Sequence, residues 1–597
     1  MSRRRDRSAS APYTPPKPLL GWDERLYRPL VVAIQASARI RRILRHAGIG
    51  APLERSVERR ILALIDPPSF VTQPPVEVTP AYTQSMRLLG TALPAFAAAT
   101  LLLAGCNTTD VSSARLPYES GQFMAAADEI TKIHPQDEDG ATSKNPARDN
   151  IWLLIEKGKM LMDAGRFEES NMAFYEANRI LETLDEEATV SLGAVSSGTA
   201  ALLLDDCQSD YVGATYDRIL IPAYVALNHL MLGETEPAAI AARQQMTWQA
   251  RAEEARAKEI ERIKELDAKA KEEDLGFDHN GAAAAMDARF AQRDEKDDGA
   301  DSPSAVVNRL TASAASLAKP ALNDYCIPFG HVVGSIALAA NGNIGESYSM
   351  QEALRSRVPA CAPLGVEQMK GRTAYVIFEN GLAPKRTDET VKFVYVYKGT
   401  VDVRDENGKK TGQKKEVLVP SLIVLPFVGL EDGVTWTKSG DGKTVLAANQ
   451  AASALEVNAA GQRTITSMLH DMNGVVGLEY KEALPGMIAR IIIRAAIQEV
   501  AQIAANNEFG TWAVLAGAIT KSTIDPDLRG WESLGANHQY TTVSVPDDGI
   551  LSFGTVQDGA VVATQEVSVP VGPPVLIYAR STNAGNLAVH SCSLVTN

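Results

Sequence analysis

Metal-binding signatures are missing from this chain. Its eight histidines are scattered and its five cysteines form no doublet. With no HExxH and no paired ligand spacing, the common zinc arrangements are excluded and no metal site is assigned. Basic clusters are few as well: 59 Lys and Arg stand against 73 Asp and Glu, a net charge of −14. That balance argues against a nucleic-acid partner. Catalytic signatures fail on context. Gly440–Thr444 (GDGKT) has part of a phosphate loop, but the first glycine such a loop requires falls at Thr437, and the segment reads as a hairpin turn. Ser316–Lys319 has the SxxK spacing of penicillin-recognising serine enzymes, and Lys410–Gly412 supplies a KTG. The first lies in low-complexity sequence, the second at an expected hairpin turn, and no Ser-Asp-Asn falls between them. His470 and Asp471 are sequence neighbours and would not face each other on a helix. No catalytic residue and no cofactor are assigned.

What is present starts with Met86–Cys106, MRLLGTALPAFAAATLLLAGC. A short basic start precedes an apolar run of the right length for a signal peptide and too short for a stable membrane span. It ends in Leu103-Ala104-Gly105-Cys106, the pattern of a bacterial lipobox. Small residues let a signal peptidase approach the backbone, and the Cys106 thiol is the group that takes the lipid. Asn107 follows it in place of the aspartate associated with inner-membrane retention, so the expected destination is the outer membrane, with the chain facing the periplasm.

The 85 residues before this segment carry 14 Lys and Arg against 7 Asp and Glu. Two readings stand: translation starts at Met86, or the extension is a cytosolic arm whose Val31–Arg45 forms a basic amphipathic helix on an anionic leaflet. Removing that arm and Arg87 leaves residues 106–597 at −22, and their 492 residues are enough for several domains. Beyond Cys106, the four cysteines Cys207, Cys326, Cys361 and Cys592 form two bridges in an oxidising periplasm or stay as buried thiols. Cys326–Cys361 is the first pairing to test.

The expected class is multi-domain α+β: helical repeats of tetratricopeptide type, then a mixed α/β region and a C-terminal antiparallel β-sandwich. Residues 106–116 read as a tether. Helical patterning over 117–249 contains Ile151–Glu182, in which Gly158 takes the repeat's small position and Gly165, Phe167, Phe174 and Ala177 fall on plausible places. Ile221–Gln245, turning at Gly233, has the same build. Gly158 and Gly233 are both expected where a side chain would push paired helices apart. Over 250–319 an exposed charged helix (Glu254/Lys258, Glu261/Lys264, Glu265/Lys269) runs into a flexible linker. A further hairpin turns at Asn341–Asn343 within 320–371. Residues 372–430 are rich in β-branched and aromatic runs, 431–537 read as helical, and 538–597 as the sandwich. Asp527, Arg529 and Trp531 form either an interaction surface or a domain junction; the junction, with the pair closing locally and Trp531 plugging a seam, is preferred.

Ala226–Gly233 (ALNHLMLG), Glu379–Pro384 (ENGLAP) and Asp527–Leu534 (DLRGWESL) together resemble a family of bacterial outer-membrane lipoproteins with tetratricopeptide-like repeats. The resemblance spans most of 106–597, with the charged helix as an insertion. Members resemble products encoded beside lipoprotein activators of penicillin-binding proteins, which implies a role in envelope or peptidoglycan biogenesis. The family brings no catalytic residues. The expectation is therefore a non-enzymatic, lipid-anchored scaffold for protein partners of the cell envelope. The alternatives are a structural subunit of an envelope complex and, behind it, a cell-wall-acting enzyme.

Overall fold

Four glycines fold the helical part of the chain into hairpins. Gly121, Gly165, Gly233 and Gly342 have φ of +82°, +78°, +77° and +79°, left-handed values that glycine adopts without a Cβ clash. Each ends a helix with the same pair of bonds: the glycine N–H reaches the carbonyl three residues back, and the next N–H the carbonyl five back. This is the Schellman arrangement, which satisfies the last carbonyls of a helix. The hairpins are α1 (Ser112–Glu119) with α2 (Phe123–Ile133), α3 (Asn150–Asp163) with α4 (Phe167–Ser191), and α5 (Thr215–Met231) with α6 (Thr235–Glu272). After a single helix, α7 (Pro303–Leu317), comes α8 (Pro328–Ala340) with α9 (Ile344–Arg357).

The computed structural model describes residues 110–134, 150–191, 211–272, 288–291, 301–318, 327–357, 371–404, 410–509 and 524–594, less positions 212, 289 and 441. All lie within one unit, Ala81–Asn597. The lipobox, the basic extension, and Cys106, Cys207, Cys326 and Cys361 fall outside these residues.

The repeat goes deeper than its turns. Seven residues before each turn glycine stand Ala114, Gly158, Ala226 and Ser335; five after stand Ala126, Ser170, Ala238 and Ser347. All eight are buried. Small residues at both places let paired helices approach, and in two hairpins the later serine donates to the earlier carbonyl: Ser170 Oγ to Gly158 O at 2.7 Å and Ser347 Oγ to Ser335 O at 2.8 Å. A Cβ at Gly158 would lie 2.6 Å from the Phe174 ring, so this glycine is required for packing. Gly233 differs from expectation: nothing stands within 4 Å of its Cβ position, and only its φ requires glycine.

The hairpins lie over one face of a five-stranded sheet in the order β10-β11-β1-β14-β15, with β1 (Thr373–Asn380), β10 (Ser467–Asp471), β11 (Asn537–Ser544), β14 (Val575–Ser581) and β15 (Ala588–Ser593). β1 and β14 are parallel; the other pairs are antiparallel. Alternation along the strands sorts the side chains. Tyr375, Ile377, Leu576 and Tyr578 join the helical core. Ala374, Val376, Phe378, Val575, Ile577 and Ala579 point the other way and form a second core with Leu455, Val457, Leu551 and Phe553. Those four come from β8 (Ala454–Ala459) and β12 (Ile550–Gln557), the middle of a four-stranded sheet completed by β9 (Gln462–Ile465) and β13 (Ala560–Ser568). The fold is mixed α/β, layered helix, sheet, sheet.

Several segment expectations change. The 106–116 tether runs into α1, which starts at Ser112 and is buried through Ala114 and Tyr118. The charged helix is the continuation of α6, 38 residues in one helix and about 57 Å long at 1.5 Å per residue. The 250–319 linker contains α7, fifteen residues capped by Ser302, with Ser316 in its last turn. Residues 431–471, expected helical, are five short strands, and the helix (α10, Met472–Phe509) starts only where they end. Alanines at 447–459 imitate helix composition, while Leu455 and Val457 bury at the period of a strand. The strands of 538–597 share both sheets with β1, β8, β9 and β10 and do not form a separate unit, because β1 supplies the edge that β11 and β14 need. Gly442 and Lys443 of GDGKT sit in the turn between β6 (Val434–Lys438) and β7 (Thr444–Ala448).

Candidate functional site

Strand register sets a row of polar side chains across the helix-facing side of the sheet. His538 of β11 and Arg580 of β14 lie opposite Glu379 of β1, and His470 of β10 lies opposite His538. Glu379, His538 and Arg580 are fully buried. From above, α3 lowers Lys159 and Asp163, one turn apart and also fully buried. Lys159 Nζ donates to Asp163 Oδ2 at 2.5 Å and stands 3.3 Å from Glu379 Oε1. Arg580 Nε reaches Asp163 Oδ2 at 3.3 Å, and its Nη1 donates to the Gly381 carbonyl at 2.7 Å. The Tyr578 hydroxyl lies 2.7 Å from Asp163 and 2.9 Å from Glu379, so both carboxylates compete for its one proton. Two cations and two anions are thus sealed together with hydrogen bonds to spare, the condition under which buried charge is tolerated. Burial pushes the Glu379 carboxyl up, but Lys159, His538 and Arg580 override it and hold it well below the usual range. Burial lowers both His538 and His470, the second well below its ordinary value.

A second buried cluster adjoins the first. Lys385 donates to Glu119 Oε1 at 2.9 Å and to the Glu532 carbonyl at 2.7 Å. The other Glu119 oxygen accepts from Thr435 Oγ1 at 2.6 Å. Arg115 and the Trp436 indole N–H hold the Glu532 carboxylate at 2.9 and 3.1 Å. Glu156 accepts from the Glu532 and Ser533 amides at 2.5 and 3.2 Å. Its burial, aided by Glu532, raises its carboxyl to about 7.

Of three short stretches singled out from sequence, ENGLAP and DLRGWESL meet at these clusters, while ALNHLMLG packs α5 on α4. ALNHLMLG supplies Asn228, which donates to Ser170 and Asn171 at 2.9 Å and locks α5 to α4. ENGLAP supplies Glu379. DLRGWESL supplies the amides that wrap Glu156, and Gly535, the residue after it, donates its N–H to Glu379 at 2.9 Å. Arg529 Nε donates to Asp527 Oδ1 at 2.8 Å. Trp531 is buried against Phe174 and Tyr224, at ring separations of 6.1 and 5.6 Å. At this junction of the 527–531 segment with the helices, Trp152 Nε1 donates to the Gly530 carbonyl at 2.8 Å.

Beside the junction opens a cleft of about 90 Å³. Arg386, Glu479 and Tyr216 line it with an apolar wall that includes Leu430, Val476 and Met487. Glu479 accepts from the Thr215 amide at 2.9 Å, at the start of α5. Burial outweighs that bond and raises its carboxyl to about 7.

No protein-family model, curated protein or solved structure matches this chain. Among the described residues no group of three or more His, Cys, Asp and Glu is placed to hold a metal ion, and no helix is long and apolar enough to cross a membrane. Cys592 has no disulfide partner among them, and burial pushes its thiol up to about 12. Lys159, Asp163, Tyr578 and Arg580 were not singled out from sequence. For Arg580 the signal is a charge inside the apolar run VLIYARS at 575–581.

Proposed function

We propose that this chain is a lipid-anchored outer-membrane protein that hangs into the periplasm and holds protein partners of the cell envelope, with envelope or peptidoglycan assembly as its setting. The hairpins are read as tetratricopeptide-like repeats, supported by their shared turn and small-residue positions, and the two facing sheets as a β-sandwich. The observation that carries the scaffold reading is repetition on the outside. The second helix of three consecutive hairpins presents large apolar side chains to solvent: Met172 and Tyr175 at 48% exposure, Ile240 at 59%, Tyr348 at 50%. Exposed apolar groups on successive repeats suit a partner laid across them. The buried charge clusters support the same reading, since they tie the repeats to the sheet and make a stiff platform. Of the two carboxylates at the cleft, Glu532 is already engaged by Arg115 and Trp436. A hydrolase using paired acids needs both free to act, so the scaffold is favoured over a cell-wall enzyme.

Photocrosslinking in cells tests the scaffold. A photoreactive residue at Tyr175, Ile240 or Tyr348 should give the same discrete adducts, while one at Glu566 on the far sheet should not. Equal adducts from Glu566 would refute it. The anchor is tested separately with Cys106→Ser, which cannot form the thioether. Incorporation of a fatty-acid analogue should vanish, and equal labelling of wild type and variant rules the anchor out.

A further inference from the structure

Arg386 stands in the cleft wall with its hydrogen-bonding capacity unused. Its side chain makes no hydrogen bond among the described residues, although Glu479, Asp527 and Asp217 lie within reach of its charge and Glu532 shares the cleft wall. Each of the four is engaged elsewhere: Glu479 by the Thr215 amide, Asp217 by Tyr211 and the Ala214 amide, Asp527 by Arg529, and Glu532 by Arg115 and Trp436. A guanidinium has five N–H donors in a planar fork that fits a carboxylate. Left unpaired in a partly enclosed wall, it forgoes bonds that water or a ligand must supply. The surroundings limit what that ligand can be. Four acids around one cation disfavour a phosphate or any dianion. The rest of the wall, Leu430, Val476, Met487, Ala383 and Ala483, is apolar. The cleft's volume admits only a small group.

We propose that this cleft binds a monocarboxylate carried on a short aliphatic group, with the carboxylate paired to the Arg386 fork and the aliphatic part against Leu430, Val476 and Met487. A free short-chain acid and the C-terminus of a peptide ending in a small residue share this chemistry. The Glu479 carboxyl, raised to about 7 by burial, keeps its proton part of the time at neutral pH and so repels such a ligand less than an ordinary glutamate would. The site is independent of the outer helices, so its failure would leave the scaffold reading untouched.

Isothermal titration of the whole chain with isobutyrate and with N-acetylalanine tests this, with inorganic phosphate as the competing anion. Saturable binding of either carboxylate, with phosphate absent from the site, supports the proposal; isobutyrate alone identifies a free acid and N-acetylalanine a peptide end. Arg386→Gln should weaken binding by about tenfold or more, the range for a charge-assisted hydrogen bond. Arg386→Lys should recover only part of it, because an ammonium lacks the fork. Met487→Trp, which keeps Arg386 and fills the cleft, should block binding, with circular dichroism confirming the fold. Arg243→Gln on the outer helices should change nothing. Binding of neither carboxylate, equal binding of phosphate, or binding undiminished in folded Arg386→Gln and Met487→Trp overturns the proposal.

Discussion

Lys159→Met removes one of two cations from a sealed set of four charges. Asp163 and Glu379 would then face Arg580 alone, all at zero exposure. Breaking a buried pair by deleting one partner typically costs about 3–5 kcal/mol, because the remaining charge has no water to turn to. The full value is expected here, since Lys159 touches both carboxylates. Lys159→Met with Asp163→Asn restores balance between Arg580 and Glu379, so the double variant should cost at least about 2 kcal/mol less than the two single costs summed. Urea unfolding at pH 7.5 reads both. Wild-type Glu379, held well below its ordinary value, gives stability that is present above the unfolded carboxylate range and lost as pH falls through it. Without Lys159 the burial effect takes over, and Glu379 gains affinity for a proton. The variant should therefore recover stability relative to wild type as pH falls from 7.5 towards 5. A loss under about 1 kcal/mol, or strictly additive singles, would mean the cluster is hydrated and the reasoning fails.

Glu156, raised to about 7, binds a proton more tightly folded than unfolded, so its contribution is favourable at low pH and lost as pH rises from about 4.5 to 7. Glu156→Gln should thus stabilise at pH 8 by about 1–3 kcal/mol and do nothing at pH 4.5, as thermal melts at both will show. Gly158→Ala should destabilise by about 1–3 kcal/mol through the Phe174 ring, and Phe174→Leu should recover part of that loss. Gly233→Ala should cost about 1–2 kcal/mol through its φ alone, with no rescue by Phe174→Leu; rescue there would contradict the packing assignment.

Local features were readable in the sequence, and pairings across long separations were not. The turns at Gly233 and Asn341–Asn343, the close approach at Gly158 and the pairing of Arg529 with Asp527 each depend on residues near one another. The first hairpin escaped because α1 has eight residues, carries Pro117 and lacks a large apolar stripe. Strands β8 to β10 escaped because alanine fits either element and their alternation runs only a few residues. The charge row was invisible for another reason. Lys159 and Asp163, four apart, look like an ordinary surface pair on a helix. Only the register of β1 against β11 and β14 brings Glu379, His538 and Arg580 beneath them, and nothing in a single sequence states that register.

The central place of β1 has a kinetic consequence. Both its neighbours come late in the chain, and the Arg580 that closes the row bonds the Glu379 carbonyl across 201 positions. The helical hairpins can condense from local contacts as they emerge, but the sheet that covers their apolar underside cannot assemble until the last strands arrive. Such long-range pairing slows folding and leaves half-built species sticky. A chain truncated before β14 would keep its hairpins yet lose their floor, so it should be cleared by proteolysis or aggregate instead of persisting as a working fragment.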